Sequence, residues 1–225
     1  MSAVDLVSDA VRMRGLMHGA GAGVRLLWAA VNQIAAALLL LLLSPLMAAI
    51  AIAIWRVDGA PIVFGHYRVG QDGRLFRCLK FRSMVRDSEA VLARLLRDDA
   101  QARADWARDQ KLGNDPRITP IGHFLRKTSL DELPQLFNVL RGEMNLVGPR
   151  PITVAELPRY RGVRWHYLRV RPGMTGLWQV SGRNDTTYDE RVELDRRYVD
   201  RWSALTDIGI LFKTVRVVLH ADGAR

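Results

Sequence analysis

Ile34-Ala-Ala-Ala-Leu-Leu-Leu-Leu-Leu-Leu43, Ser44-Pro45, Leu46-Met-Ala-Ala-Ile-Ala-Ile-Ala-Ile-Trp55 is the stretch that decides what kind of fold this chain can adopt. No charged residue interrupts these 22 positions. As a helix they extend roughly 33 Å, enough to cross the hydrocarbon core of a bilayer. Three fates compete. A cleavable signal peptide has the basic lead-in (Arg12, Arg14, Arg25), but the apolar run continues past any cut site. A single spanning helix is the default for this length. The third is a helix broken at Ser44-Pro45 that enters and leaves on one side. Pro45 has no amide hydrogen and collides with the preceding turn, which releases the carbonyl near Leu41, and the Ser44 hydroxyl is close enough to satisfy it. Arg25 precedes the stretch, while Arg56, Arg68, Arg74, Arg77, Lys80, Arg82 and Arg86 follow it. Positive residues draw both ends to the cytoplasm, and one spanning helix satisfies only one of them. Spanning and re-entrant forms stand level on these grounds.

On the N-terminal side, residues 1–23 are rich in Gly and Ala with no sustained period, and a loosely ordered tail is expected. Residues 24–56 are expected to form the membrane segment, and 57–225 leave room for one sizeable domain. Thirty-three basic against 23 acidic residues give a formal net charge of +10. Such a chain meets anions: nucleic acid, lipid headgroups or phosphorylated substrates. The single cysteine, Cys78, excludes an internal disulfide framework and a multi-cysteine metal site. None of His18, His66, His123, His166 and His220 has a neighbour at zinc-ligand spacing. Phosphate-binding G-x-x-x-x-G-K-[ST] and dinucleotide-binding G-x-G-x-x-G motifs are absent.

On the C-terminal side, Pro61–Phe64 and Arg68–Phe81 alternate as short strands, with turns expected at Gly65, Gly70 and Gln71-Asp72-Gly73. Residues Ser88–Gln110 read as one long polar helix with Leu92, Leu95, Leu96 and Trp106 on one side. An extended, Arg-rich segment is expected over Ile121–Lys127, and helices after Pro134, over Val154–Leu168, over Tyr188–Trp202 and over Thr206–Leu219. The last is amphipathic and suits core packing or a membrane surface equally. Arg169–Asn184 reads as a Gly-rich strand and loop whose backbone can approach a ligand. The fold class is therefore α+β.

At the centre lies Thr128-Ser-Leu-Asp131-Glu132-Leu-Pro134-Gln-Leu136. Adjacent carboxylates at the start of a helix meet free backbone N–H groups and the positive end of the helix dipole, which also attract phosphate. Ser129 and Glu132 equally have the spacing of a capping box, so both acids could simply start a helix. Further on, prolines on both sides of Arg150 hold its backbone extended, useful for gripping a phosphate with two N–H groups, or else an ordinary surface turn.

Taken in order, the broken apolar segment, Lys80-Phe-Arg-Ser-Met84, Ser129-Leu-Asp-Glu-Leu-Pro-Gln135, Gly142-Glu-Met-Asn-Leu-Val-Gly-Pro-Arg-Pro151, Arg171-Pro-Gly-Met-Thr-Gly-Leu-Trp-Gln-Val-Ser-Gly-Arg183 and Asp195-x-x-Tyr198 followed by Asp207 resemble the bacterial sugar transferases. These are monotopic phosphoglycosyl transferases acting on a polyprenol phosphate, and the short N-terminus is similar to the exopolysaccharide-initiating galactosyl-phosphate type. The resemblance implies a re-entrant helix and a mostly helical domain on the cytoplasmic face of the bacterial inner membrane, with amphipathic helices on the lipid surface. It implies transfer of hexose 1-phosphate, galactose before glucose, from a UDP-hexose to undecaprenyl phosphate with magnesium and release of UMP. Asp131 then matches the nucleophile that forms a phosphosugar-aspartate, and Glu132 the second member of the dyad, both able to hold Mg2+. Lys80, Arg82, Arg150, Arg171 and Arg183 become candidates for holding diphosphate or carrier phosphate, and Asp195 a functionally important acid. Membrane lipids are implied partners, nucleic acid is not, and a homo-oligomer is compatible. A membrane-tethered nucleic-acid binder needs recognisable aromatic or helix-turn-helix readers, whereas the aromatics here are scattered and the acids cluster where a phosphate binder would want none. An inactive scaffold of polysaccharide assembly is separated from the enzyme by a UMP-release assay.

Overall fold

The computed structural model of the chain describes residues 22–109, 112–113, 115–182 and 186–220. The readings of the tail up to residue 21 and of Arg183 lie outside these residues. The apolar stretch forms α1, Ala22–Asp58, and among the described residues it is the one helix long and apolar enough to cross a membrane. It runs uninterrupted through Pro45, so the expected break does not end the helix. The reason is local: the Ser44 hydroxyl donates to the Leu41 carbonyl at 2.8 Å, supplying the bond that Pro45 cannot make.

One face of α1 packs on the rest of the chain along most of its length. Ala36, Leu39, Leu40 and Leu43 meet Phe76, Cys78, Leu136, Val139 and Met144. One turn further on, Met47, Ile50, Ala51 and Ile54 meet Phe81, Leu125, Leu130 and Leu133. The opposite face leaves Leu38, Leu41, Leu42, Leu46 and Ile52 exposed. Both ends of the helix are tied to the same domain. Near the start, the Trp28 indole N–H donates to Asp207 Oδ2 at 2.7 Å, and Asn32 Oδ1 accepts from the Leu146 amide at 2.8 Å. At the finish, Arg82 Nη2 donates to the carbonyls of Asp58 and Gly59 at 3.0 and 2.7 Å and pairs with the Asp58 carboxylate at 3.0 Å.

Strands β1 (Val63–Val69) and β2 (Leu75–Phe81) form an antiparallel hairpin in which Phe64 stands opposite Lys80 and His66 opposite Cys78. Gly65 lies inside β1 rather than in a turn; the reversal uses the 3₁₀ turn Gln71–Gly73 alone. The expected long polar helix is two: α2 (Ser88–Asp98) and α3 (Ala100–Asp109). Asp99 separates them in an extended conformation, and its carboxylate accepts from the Ala102 amide, so it stops one helix and caps the next.

The segment read as extended is α4, Pro120–Thr128. Thr119 caps it by accepting from the Gly122 amide at 3.0 Å, Pro120 sits in the first turn, and Leu125 is buried against α1. Gly122 is required there, because a Cβ would overlap the Ser83 carbonyl. A 3₁₀ turn, Leu130–Glu132, leads to α5, Gln135–Leu140. Strands β3 (Asn145–Val147) and β4 (Gly173–Thr175) then pair in parallel. Any Cβ on Gly173 would collide with the Gly148 backbone, so this part of the Gly-rich segment packs closely on the Gly148-Pro149 turn.

Residues 154–168 do not form the single helix expected. A 3₁₀ stretch, Leu157–Val163, is turned by Arg161 at φ 43°, and the short α6, Arg164–Leu168, follows. The closing helices are α7, Tyr188–Asp200, and α8, Ala204–His220. A reciprocal Thr187–Glu190 capping box starts α7. On α8, Ile210 and Leu211 pack against Val147, Tyr198 and Val199, while Leu205, Phe212 and Val215 are exposed.

Candidate active site

Asp131 and Glu132 occupy the 3₁₀ turn between α4 and α5. No capping box forms, because Ser129 adopts the left-handed conformation (φ 57°, ψ 16°) and its side chain accepts no amide there. For a residue with a Cβ that geometry costs about 1 kcal/mol. Its effect is to turn the chain sharply, so that the acids face β2 instead of the amides of α5. There Lys80 Nζ lies 2.6 Å from Glu132 Oε1 and 3.7 Å from Asp131 Oδ2.

The strand bearing Lys80 is fixed by a residue that the sequence did not single out. Asn138, fully buried on α5, accepts from the Leu79 amide at 3.0 Å and donates to the Arg77 carbonyl at 2.8 Å and to Glu143 at 2.6 Å. It joins α5 to the backbone on either side of Cys78. Arg126, one α4 turn ahead of the acids, donates to Ser83 Oγ at 2.9 Å and lies within electrostatic reach of Asp131. Both were hidden because helical periodicity marks apolar faces, whereas these are polar residues whose partners lie far along the chain.

Burial is the largest influence on Asp131, which is 8% exposed, and it holds the carboxyl above the usual carboxylate range. Lys80 and Arg126 oppose the rise, while Glu132 adds to it. Desolvation pulls Lys80 down, but Glu132 and Asp131 outweigh it and raise its pKa. The ammonium therefore stays charged beside the two acids. Cys78 on the same strand is buried, which pushes its thiol up to about 11 and leaves it a packing residue.

The sequence candidates separate into groups. Lys80, Asp131 and Glu132 meet directly, and Arg150 lies within electrostatic reach of Glu132. Arg150's backbone is held on both sides, since the Pro149 carbonyl accepts from the Gly173 amide and the Ile152 carbonyl from the Val69 amide, each at 2.8 Å. Its guanidinium lies over the Trp178 ring at 5.3 Å. Arg82 is engaged through Nη2 at the end of α1, as described above, while its Nη1 is buried without an acceptor. Arg171 sits beside Gly142 and Gln33, at the far end of α5 from the acid pair. Asp195 is buried in the core at 2% exposure and accepts the Tyr160 hydroxyl at 2.7 Å. Burial pushes its carboxyl up to about 7, against the pull of Tyr160, Arg191 and Arg150. Around Arg150 the structure adds Arg68 and Arg191, both paired to Glu156 at 3.3 and 3.8 Å.

No group of three or more metal-ligating His, Cys, Asp or Glu side chains occurs among the described residues. Two neighbouring carboxylates nevertheless suit magnesium, which takes one or two acids and completes its shell with water and substrate phosphate oxygens. Partly buried acids beside one ammonium and several guanidiniums can therefore accept phosphate groups and present a carboxylate oxygen to phosphorus.

The sequence profile described as "Bacterial sugar transferase" matches residues 24–221. A UDP-galactose-lipid carrier transferase of Erwinia amylovora is 62% identical over 183 residues, which cover 81% of this chain and 38% of that protein. The undecaprenyl-phosphate galactose phosphotransferase of Salmonella typhimurium is 59% identical over 187 residues, 83% of this chain and 39% of that protein. An exopolysaccharide production protein of Rhizobium meliloti is 48% identical over 193 residues, 86% of this chain and 85% of that protein. The chain thus spans about two fifths of the first two relatives and most of the third.

Proposed function

The chain belongs to the bacterial sugar transferase family, and on that footing we propose that it moves hexose 1-phosphate from a UDP-hexose onto undecaprenyl phosphate, releasing UMP. The observation that carries this is the placement of Asp131: largely buried, next to Glu132, with the Lys80 ammonium 3.7 Å away. Galactose is the favoured hexose, because two of the relatives above are named for galactose transfer; glucose comes second.

In the first step Asp131 Oδ attacks the phosphorus that bears the sugar. The bond from that phosphorus to the oxygen bridging the two phosphates breaks, and UMP departs with the electron pair. An oxygen of undecaprenyl phosphate then attacks the same phosphorus, the Asp131 carboxylate leaves, and a lipid diphosphohexose results. Dividing the transfer lets one pocket handle two anionic substrates in turn. Lys80 keeps the attacking carboxylate ionised and offsets its repulsion from phosphate oxygens. Arg150, within electrostatic reach of Glu132, and Arg126, within reach of Asp131, would hold such oxygens. Asp131 and Glu132 would hold a magnesium ion, which when bound lowers the negative charge on phosphate.

Membrane attachment comes through α1. Both of its ends are fastened to one domain and its outer face is apolar, which favours a helix whose two ends stay on one side of the bilayer over one that crosses. The arginines around its exit favour the cytoplasmic face of the inner membrane. Exposed Leu205, Phe212 and Val215 on α8 suit contact with the same lipid surface.

The test uses the full chain in detergent with undecaprenyl phosphate, magnesium and a panel of UDP-sugars. UMP release is expected, fastest from UDP-galactose, and Asp131→Asn should abolish it at an unchanged melting temperature. No release with any UDP-sugar, or full activity in the Asn variant, contradicts the proposal.

A further inference from the structure

Arg191, on α7, is 7% exposed, and two of its nitrogens are unsatisfied. Nη1 lies 3.8 Å from Glu156 Oε1, while Nε and Nη2 are buried without a hydrogen-bond acceptor. Neighbouring carboxylates are already engaged. Glu156 Oε2 accepts from the Thr153 amide at 2.8 Å, the Thr153 hydroxyl at 3.0 Å and Arg68 at 3.3 Å. Asp195 accepts the Tyr160 hydroxyl.

The guanidinium of Arg191 lies over the Trp178 ring at 5.1 Å and the Tyr188 ring at 4.9 Å. Arg150 lies over the same Trp178 ring. That ring is fixed, since its N–H donates to Thr186 Oγ1 at 2.6 Å. Arg150 interacts electrostatically with both Arg191 and Glu132, and so links the Arg191 cluster to the acid pair. Three guanidiniums, Arg68, Arg150 and Arg191, thus gather near one another with Glu156 as the acid they share. Like charges held this close repel, and unmet N–H groups on a buried cation are costly to keep. An anion with several oxygens resolves both penalties, and a planar guanidinium matches two phosphate oxygens at once.

We propose that Arg191, working with Arg150 beside the Trp178 indole, binds a phosphate group other than the one that Asp131 attacks. This rests on the reading of Asp131 as the phosphoryl-transfer centre. Two sources share the chemistry: the nucleotide-side phosphate of the donor and the phosphate of the lipid carrier.

Titration calorimetry on the full chain in detergent separates them. UMP, inorganic pyrophosphate and undecaprenyl phosphate are titrated singly into wild type, Arg191→Gln and Arg191→Lys. None of the three turns over alone, so the result does not depend on Asp131 acting as nucleophile. Arg191→Gln should weaken at least one ligand by about 10- to 100-fold, the range of a charge-assisted hydrogen bond, and Arg191→Lys should recover part of the loss. Loss confined to UMP and pyrophosphate assigns the nucleotide side; loss confined to undecaprenyl phosphate assigns the carrier. Unchanged affinities for all three overturn the proposal, even if the melting temperature falls. If Arg191→Gln does not fold, Arg191→Lys decides alone, because it keeps the charge and loses the fork: affinities within about twofold of wild type overturn the proposal.

Discussion

Removing the ammonium of Lys80 should change how the site responds to pH more than it changes the fold. In Lys80→Met the stem length is kept and the charge 3.7 Å from Asp131 Oδ2 is lost. At an effective dielectric near 20, two unit charges at that distance interact by about 4 kcal/mol. Lys80 is 37% exposed, and solvent screening reduces this to about 1 kcal/mol. An opposite charge lowers a carboxyl's pKa, so losing it adds to the rise that burial already imposes on Asp131. The acid limb of the activity profile should therefore move to higher pH, by roughly one pH unit. At pH 6 the variant should lose more activity than at pH 8, and Lys80→Arg should restore most of it. The assay is UMP release from pH 5 to 9 in detergent, alongside melting temperatures. An acid limb that stays in place while activity falls uniformly would falsify the view that Lys80 keeps Asp131 ionised.

Two further predictions concern the frame around the site. Arg82→Met should lower stability by about 1–3 kcal/mol, seen as a reduced melting temperature, because it leaves the Gly59 carbonyl and the Asp58 carboxylate without their cation, while Arg86 still donates to the Asp58 carbonyl; if Arg82 bound substrate instead, affinity would fall at unchanged stability. Gly122→Ala should cost about 1–3 kcal/mol, since the added methyl group meets the Ser83 carbonyl and α4 must shift; a variant as stable as wild type contradicts the close packing of α4 on that segment.

The long elements were readable because their signals are local. A continuous apolar run marked α1, and the Ser44–Leu41 bond followed from what proline lacks. Thr187 and Glu190 at capping spacing stand at the start of α7. The same spacing misled at Ser129 and Glu132, where a left-handed turn aims the acids at β2. Short elements such as α4 owe their form to the Thr119 cap and to Leu125 packing under α1, the second of which no local pattern contains. Arginines were the least readable. Arg82, Arg150 and Arg191 are chemically identical, yet one fastens a helix end, one projects beside Trp178, and one is buried with two N–H groups unmet. Only tertiary position separates those roles. Asp195 was named from a motif, and its burial beneath the Tyr160 hydroxyl is a tertiary contact that no local pattern contains.

The most direct measurement is the intact mass of the protein after brief reaction with UDP-galactose and magnesium in the absence of undecaprenyl phosphate. The account predicts a species heavier by one hexose phosphate, mapped by peptide analysis to Asp131, absent from Asp131→Asn and discharged when the lipid phosphate is added. Active enzyme that never carries such an adduct, or an adduct that persists in Asp131→Asn, contradicts it.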